Sequence, residues 1–365
     1  METNHSESLG EQLHHCFCQI KENVKPLARL AVALYDGQTD QLYTFANSSE
    51  QASPLNYYQV PLSQVPSLKV LAESGQPRIL DDLGVLERSP ALHTRKILDA
   101  GYRSSFTVPV RTQEKFQALI FFDSYEKNAF SQGTQSLLKL HSQIIFDKIW
   151  QEMTLCRTLR GVLVTAQEFS RLKDEETAAH LQRMAHYSRL IALNLAQQSG
   201  CLNDEQIEHI FRFAPLHDLG KIAIPDAILL KKGTFTTEET SLMKSHVDKG
   251  VEIVECMIRE FQLQNLPHID SLRHIIHFHH ERWNGSGYPL GLSGSAIPLE
   301  SRIVAVADVF DALTTQRPYK PAWSYAEAFA YMDSELFDPD CVASIRNQTD
   351  ALRGIQQQFS DDGLA

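Results

Sequence analysis

The feature that most constrains the fold of this chain is a set of eight residues able to bind metal ions, spread over five stretches of sequence. Its members are Glu176, His180, His217, Asp218, His246, His279, His280 and Asp308. Eight oxygen and nitrogen donors are too many for one ion, so the fold has to gather distant stretches around more than one ion. Sites with several metal ions activate water, and phosphate esters are the commonest substrates with several charged oxygens.

Composition and charge limit what kind of protein this is. The 365 residues are enough for two domains, and 43% hydrophobic and 22% charged residues are ordinary for a globular protein. The net charge of −11 comes without a basic stripe, so long nucleic acid is not expected as a ligand. The sequence shows no apolar run of about 18 residues, no signal-peptide pattern and no disulfide framework. A cytoplasmic protein without a membrane span is therefore expected.

The first part of the chain predicts an α+β domain. Residues 1–135 alternate short apolar runs with turn signals; residues 30–35, for example, end at the turn residues Asp36 and Gly37. Residues 41–46 read as the returning strand, and residues 105–110 and 118–122 as a second pair. Short helices are predicted over residues 69–74 and 92–100. This pattern is typical of antiparallel strands with helices packed on the sheet.

A long linker helix is predicted over residues 136–170. Apolar residues recur on one helix face, and they are Leu138, Ile145, Ile149, Met153, Cys156, Leu159 and Leu163. A stripe of this length either packs on both flanking domains or pairs with its copy in a dimer, and we expect a homodimer.

The rest of the chain, residues 171–345, is predicted to be an all-α domain, followed by a polar tail over residues 346–365. Capping boxes begin at Asn203 and Thr236. The predicted helices cover residues 182–196, 204–213, 237–260, 271–281, 301–314 and 325–332.

The doublet of His217 and Asp218 is the most informative part of the ligand set. Adjacent side chains on a helix diverge by roughly 100°, so both reach one site only if it wraps the helix end or if Asp218 bridges two ions. Gly220 would allow another backbone or a ligand to come close. Lys221 lies one turn after His217 and points to the same side.

Four histidines crowd residues 274–280, and not all of them can bind metal. We expect His274 and His277 to serve packing or to face solvent. Asp308 lies in an apolar helix, where a carboxylate is costly unless it is paired or bound to metal. Asp311 is expected to support the site or to cap the next loop.

Together these motifs resemble the HD-GYP family of bacterial phosphodiesterases, which belongs to the HD superfamily. The resemblance covers roughly residues 165–340. It rests on HDLGK at 217–221, HHERWNGSGYP at 279–289, DVFDALT at 308–314 and RPYK at 317–320. It implies hydrolysis of cyclic di-GMP to linear pGpG, and in some members on to GMP, through attack by a hydroxide that bridges the metal ions.

The resemblance also implies which residues bind metal, take part in catalysis and contact the substrate. Two or three divalent ions, iron or manganese, are expected to be held by the eight residues above, and Asp174 matches a further acidic position of three-metal members. Asp218 and Lys221 are expected at the centre of catalysis. The residues expected to contact the substrate are Tyr288, Arg317 and Lys320.

Residues 101–110, 118–124 and 129–131 resemble the closing strands of a GAF domain. This resemblance implies a regulatory or dimerisation domain, and whether it binds a small molecule or is an empty scaffold stays open. Signalling partners of GGDEF type are expected as well.

Two alternatives to the leading function remain: a phosphodiesterase that prefers cyclic GMP-AMP, and a non-catalytic receptor for a cyclic dinucleotide.

Overall fold

The computed structural model describes residues 8–51, 53–87, 89, 91–112, 115–171, 178–261, 268–316 and 321–360. The chain divides into two compact units, one built mainly from residues up to Thr154 and the other mainly from Leu155 onward. The division falls inside the long helix, whereas the sequence had suggested boundaries at either end of it. No helix among the described residues is long and apolar enough to cross a membrane.

The N-terminal unit is built on one antiparallel sheet. Its strands are β1 (Leu27–Asp36), β2 (Gln41–Ser49), β3 (Gln59–Pro61), β4 (Arg78–Leu80), β5 (Ser104–Thr112) and β6 (Lys115–Ser124). They lie in the order β3-β2-β1-β6-β5-β4. Its first three helices are α1 (Leu9–Asn23), α2 (Pro66–Ser74) and α3 (Leu92–Asp99). Both predicted strand pairs form, so the α+β prediction is confirmed.

The long helix α4 (Gln132–Arg171) uses much of its apolar stripe within its own unit. Leu138, Ile145, Ile149 and Met153 are buried in one core with apolar side chains of the sheet and of α1. These four positions therefore do not form a free seam for a second copy, as the dimer interpretation of the stripe would require. The exposed apolar residues on this part of α4 are instead Leu140 and Ile144.

The C-terminal unit is helical in its described residues, apart from an isolated bridge between Asn284 and Ser293. Its helices are α5 (Ala178–Ser199), α6 (Asp204–Phe213), α7 (Asp226–Leu229), α8 (Thr237–Lys244), α9 (His246–Glu260), α10 (Ile269–Phe278), α11 (Leu299–Thr314), α12 (Tyr325–Met332), α13 (Pro339–Arg346) and α14 (Thr349–Gln358). The predicted multi-domain fold class, with an all-α second domain, is confirmed.

Two differences from the predicted helices matter for the site. Residues 237–260 form two helices, because α8 ends at Lys244 and α9 begins at His246, with Ser245 as the residue between them. Pro215, which lacks an N–H, ends α6 and lies in the 3-10 helix Ala214–Leu216 that leads directly into His217.

The segment expected to be a polar tail includes a helix. Residues 349–358 form helix α14, although most of their side chains are polar. Leu352 and Phe359 are buried, and the carbonyl oxygen of Phe359 accepts a hydrogen bond from Arg183 Nη1 at 2.9 Å. Apolar residues on one face, seven positions apart, are enough to anchor an otherwise polar helix.

Candidate metal centre

The structure brings seven of the eight predicted ligands into two neighbouring sets. In each set, one ligand atom from every residue lies within 4.8 Å of the others. The first set is Asp218, His246, His279 and His280, and the second is His180, His217 and Asp308. Glu176, the eighth predicted ligand, and Asp174 lie outside the described residues.

Close backbone packing brings the first set together. A Cβ atom on Gly220 would lie 1.8 Å from the carbonyl oxygen of His246 and 2.5 Å from the amide nitrogen of Gly250. The short turn that carries Asp218 can therefore lie against the start of α9 only because residue 220 has no side chain. The close approach expected at Gly220 is confirmed, and the neighbour is backbone.

The carboxylate of Asp218 lies between the two sets. Its Oδ1 is 3.1 Å from His246 Nε2 and 3.6 Å from His279 Nε2. Its Oδ2 is 3.1 Å from His217 Nε2 and 2.9 Å from Lys221 Nζ. One carboxylate thus faces ligand nitrogens of both sets, which is the geometry of a bridging ligand.

The backbone fixes which nitrogen of each central histidine faces the site. The carbonyl oxygens near Nδ1 are those of Ala214 for His217 (3.0 Å), Met243 for His246 (2.8 Å) and Ile275 for His279 (3.0 Å). A carbonyl can only accept a hydrogen bond, so Nδ1 carries the proton and a neutral ring presents the lone pair of Nε2. Metal-binding histidines are oriented in this way.

The contact between Asp218 Oδ1 and His246 Nε2 tests whether the residues fit a cation. Both atoms are buried, both are acceptors when the ring is neutral, and neither has a well-directed hydrogen bond among the described residues. Two lone pairs 3.1 Å apart repel each other unless a positive charge lies beside them. This donor set of imidazole and carboxylate suits a divalent transition metal.

Protonation states in the first set favour metal binding. Burial lowers the pKa of His279, and it lowers the pKa of His280 well below the usual range. Burial alone would raise the pKa of Asp218, but the charge of Lys221 and the contacts with His217 hold that pKa well below its usual value. Neutral imidazoles and an ionised carboxylate are the forms that bind metal.

The second set is supported by a buried ion pair that the sequence did not reveal. Asp311 is almost fully buried, and its Oδ2 lies 2.7 Å from His180 Nδ1 while its Oδ1 accepts from Arg183 Nε at 2.7 Å. His180 Nε2 then faces Asp308 Oδ1 at 3.9 Å. The supporting role expected of Asp311 has a physical basis here. The sequence analysis did not identify Arg183 as part of the site. Arg183 follows His180 by three residues on α5, and Asp311 follows Asp308 by three residues on α11, so each pair shares one helix face.

Tyr288 lies beside the first set. Its ring stacks on His280 with centroids 4.7 Å apart, and Lys244 Nζ lies 4.9 Å from the ring centre. Burial raises the pKa of Tyr288, so its hydroxyl stays protonated and can donate a hydrogen bond. A Cβ atom on Gly287 would lie 2.3 Å from the amide nitrogen of Arg282, so the loop holding Tyr288 is folded tightly.

The other predicted residues divide into two groups. His274 and His277 contact Glu300 at 2.7 Å and Asp248 at 3.0 Å, and neither belongs to a ligand set, as expected. Arg317 and Lys320 lie outside the described residues.

Fold and site together define a helical domain with adjoining metal-ligand sets joined by the Asp of a His-Asp doublet. Residues 171–340 match the model of the HD domain. The HD-GYP resemblance is confirmed at this level.

Curated relatives of this chain are named as cyclic-dinucleotide phosphodiesterases. The chain is 46% identical over 191 residues to "Cyclic di-GMP phosphodiesterase response regulator RpfG" of Xanthomonas campestris, covering 52% of this chain and 47% of the relative. It is 32% identical over 267 residues to "3'3'-cGAMP-specific phosphodiesterase 2" of Vibrio cholerae, covering 68% and 49%. The chain thus spans about half the length of these relatives.

A solved GAF domain/HD domain protein from Geobacter sulfurreducens shares 17% identity with a TM-score of 0.32, over 38% of this chain and 90% of that one. That score supports no structural argument, and the description of the N-terminal unit rests on its own strand order.

Proposed function

We propose that this chain is a metal-dependent phosphodiesterase that hydrolyses cyclic di-GMP to the linear dinucleotide pGpG. The observation that carries the proposal is the Asp218 carboxylate, whose two oxygens face ligand nitrogens of different sets. The names of the relatives support the substrate class.

The two ligand sets would each hold one ion, and Asp174 and Glu176 are proposed to supply carboxylate ligands to a third. We propose iron or manganese, both of which accept mixed imidazole and carboxylate ligands. Bound at this centre, such ions supply an acidified water near neutral pH and offset negative charge on the phosphoryl group.

The chain's own residues position and neutralise the substrate. Lys221, held 2.9 Å from Asp218, orients that carboxylate and adds positive charge beside it. Tyr288 can donate its hydroxyl hydrogen to the substrate, and Arg317 and Lys320 are proposed to contact its phosphates and bases. In the reaction, water loses a proton and adds its oxygen to phosphorus, one P–O ester bond breaks, and the leaving ester oxygen takes up a proton to become a hydroxyl.

A second candidate is hydrolysis of cyclic GMP-AMP. It is favoured by the relative of that specificity, whose match extends over 267 residues and so reaches beyond the HD domain. The metal centre acts on the phosphodiester group common to both substrates, so the bases decide between them.

The test is product chromatography with manganese-loaded or iron-loaded protein, given cyclic di-GMP, cyclic GMP-AMP and cyclic di-AMP in parallel. We expect pGpG from cyclic di-GMP, and any further conversion to GMP is read from the same traces. Asp218→Asn should lose metal and at least about 100-fold of the activity. Asp248→Asn, which alters only the contact with His277, should lose neither.

The outcome that contradicts the proposal is equally definite. Metal-loaded protein that binds cyclic di-GMP, but forms no linear product over hours, would be a receptor. Faster turnover of cyclic GMP-AMP would select the second candidate.

We also propose that residues 1–135 regulate the activity of residues 171–345. The linker over residues 136–170 and the N-terminal domain are proposed to mediate a homodimer. GGDEF-type proteins are proposed as signalling partners, and the cytoplasm as the location. The exposed Leu140 and Ile144 on α4 support the dimer.

A further inference from the structure

The N-terminal unit contains a cavity of about 80 Å³ between one face of its sheet and the helices α2 and α3. The opposite face of the sheet packs on α1 and α4. The cavity exists because short side chains occupy the middle of its floor. Ala31 and Thr107 both pair with Phe121 across the strands, so the ring has a short side chain on either side.

The charges that line this cavity do not cancel. Arg29 and Asp123 form a buried pair at 2.5 Å and neutralise each other. Arg78, on the edge strand β4, donates to the carbonyl oxygen of Ser67 at 3.4 Å and pairs with no carboxylate among the described residues. His93 also lines the cavity, and burial and the charge of Arg78 lower its pKa, so it stays neutral. One positive charge is left over.

Polar groups in the cavity wall also lack partners. Arg29 Nε, Arg78 Nε and Thr107 Oγ1 are buried and make no hydrogen bond within the described part of the chain. Arg29 is 2% exposed and Thr107 is 1% exposed. Thr107 lies directly opposite Arg78 in the pairing of β5 with β4. Unmet buried donors are costly, so their concentration at one cavity indicates a missing acceptor.

Most of the remaining wall is apolar, and the wall limits the size of the ligand. Leu68, Leu80, Leu83, Leu86 and Ile97 line it. The cavity volume corresponds to roughly five to eight water molecules, which is far too small for a nucleotide. A dianion such as a phosphate monoester would leave an unbalanced negative charge among these side chains, and that is unfavourable.

We propose that this cavity binds a small organic monocarboxylate, with its carboxylate on the guanidinium of Arg78 and the hydroxyl of Thr107 and its apolar body against the leucine wall. The charge of the ligand then balances the charge of Arg78. The carboxylate oxygens supply the acceptors that Arg78 Nε and Thr107 Oγ1 lack. This site is independent of the metal centre and does not rest on the proposed activity.

The test uses the full chain, with benzoate as the probe. Titration calorimetry measures benzoate binding directly, and the shift of the thermal unfolding midpoint measures it independently. Benzamide and benzylamine have nearly the same shape but are neutral and cationic. We expect benzoate to bind at least tenfold more tightly than either. Arg78→Met should weaken benzoate binding at least tenfold, and it should raise the unfolding midpoint without ligand because it removes a half-buried charge that has no carboxylate partner among the described residues.

Arg103→Met is the matched control, since Arg103 is exposed and lies outside the cavity wall. It should leave benzoate binding unchanged. Thr107→Val, which keeps the side-chain shape, should weaken binding by a smaller factor and serves if Arg78→Met does not fold. The proposal is overturned if benzamide or inorganic phosphate binds as well as benzoate, if both cavity variants bind benzoate normally, or if about 10 mM benzoate leaves the midpoint unchanged.

Discussion

Asp311 and His180 lie 131 residues apart in sequence, and the Asp311 carboxylate nevertheless lies 2.7 Å from His180 Nδ1. The same carboxylate accepts two hydrogen bonds from Arg183. An imidazole held on one nitrogen by a buried carboxylate presents its other nitrogen in a fixed direction. In this protein that direction is toward Asp308.

Asp311→Asn should therefore weaken both the fold and the metal centre. The variant leaves Arg183 as a buried charge without its ion-pair partner, which typically costs about 3 kcal/mol of unfolding free energy. Metal content should fall by about one ion per chain, because His180 loses its orientation. Denaturant unfolding and elemental analysis measure the two effects.

The matched control for that variant is Asp333→Asn. Asp333 pairs with Arg346 at the surface, where such pairs contribute less than about 1 kcal/mol. Metal content should not change. Equal losses in the two variants would refute the role assigned to Asp311.

Gly220→Ala should be among the most damaging single methyl additions to this protein. The new Cβ would meet the carbonyl oxygen of His246 at 1.8 Å, and backbone cannot rotate away as a side chain can. We expect a loss of about 3 kcal/mol or more in unfolding free energy, with reduced metal content.

Gly354→Ala provides the comparison, because Gly354 lies in α14 with nothing within 4 Å of an added Cβ. It should raise the unfolding free energy by about 0.5–1 kcal/mol, since alanine favours helix. A Gly220→Ala protein as stable as the wild type would show that α9 does not approach so closely.

The pair of His274 and Glu300 should stabilise the C-terminal unit more in acid than in base. The hydrogen bond with Glu300 raises the pKa of His274 above its usual 6.5. A raised pKa means that the stabilisation is complete below about pH 6.5 and is lost as the pH rises through the folded-state value. Because His274 is partly exposed, the contribution should stay below about 1 kcal/mol.

His274→Gln should accordingly lower the unfolding free energy more at about pH 5.5 than at about pH 8.5. Glu300→Gln should produce the same pH-dependent difference, and the double variant should add little to either. A loss that is equal at both pH values would mean that the pair is not charge-assisted.

Replacing both Leu140 and Ile144 by Glu should convert the proposed homodimer into monomers. These side chains are 61% and 52% exposed on α4, so charges there should disturb association without disturbing the core. Light scattering at several protein concentrations measures the mass. Val70→Glu, at an exposed apolar residue on α2, should leave the mass unchanged. A wild-type protein that is already monomeric would remove the dimer from the proposal.

Local patterns in the sequence were enough to predict both fold classes and most helices. Residues 204–213 and 325–332 match their helices at both ends, because a capping residue and an apolar face mark each of them. Five of the eight proposed ligands could be named for a similar reason, because His217, Asp218, His279, His280 and Asp308 stand in the short motifs that carry the HD-GYP resemblance, whereas Glu176, His180 and His246 lie outside those motifs.

Tertiary contacts decided what the sequence could not. The break at Ser245 is marked by neither Gly nor Pro, and it occurs where the start of α9 lies against Gly220. The partnership of Arg183 with Asp311 joins residues 128 positions apart. Single-sequence periodicity carries no information about such pairs.

Helix α14 connects the end of the described chain to the candidate metal centre through hydrogen bonds. The Phe359 carbonyl oxygen accepts a hydrogen bond from Arg183, Arg183 donates hydrogen bonds to Asp311, and Asp311 orients His180. A shortened expression clone that stops at residue 345, where the sequence suggested the domain ends, would cut this chain of contacts at its outer link. An inactive fragment of that kind would then reflect a poorly chosen cloning boundary and would not contradict the proposed reaction.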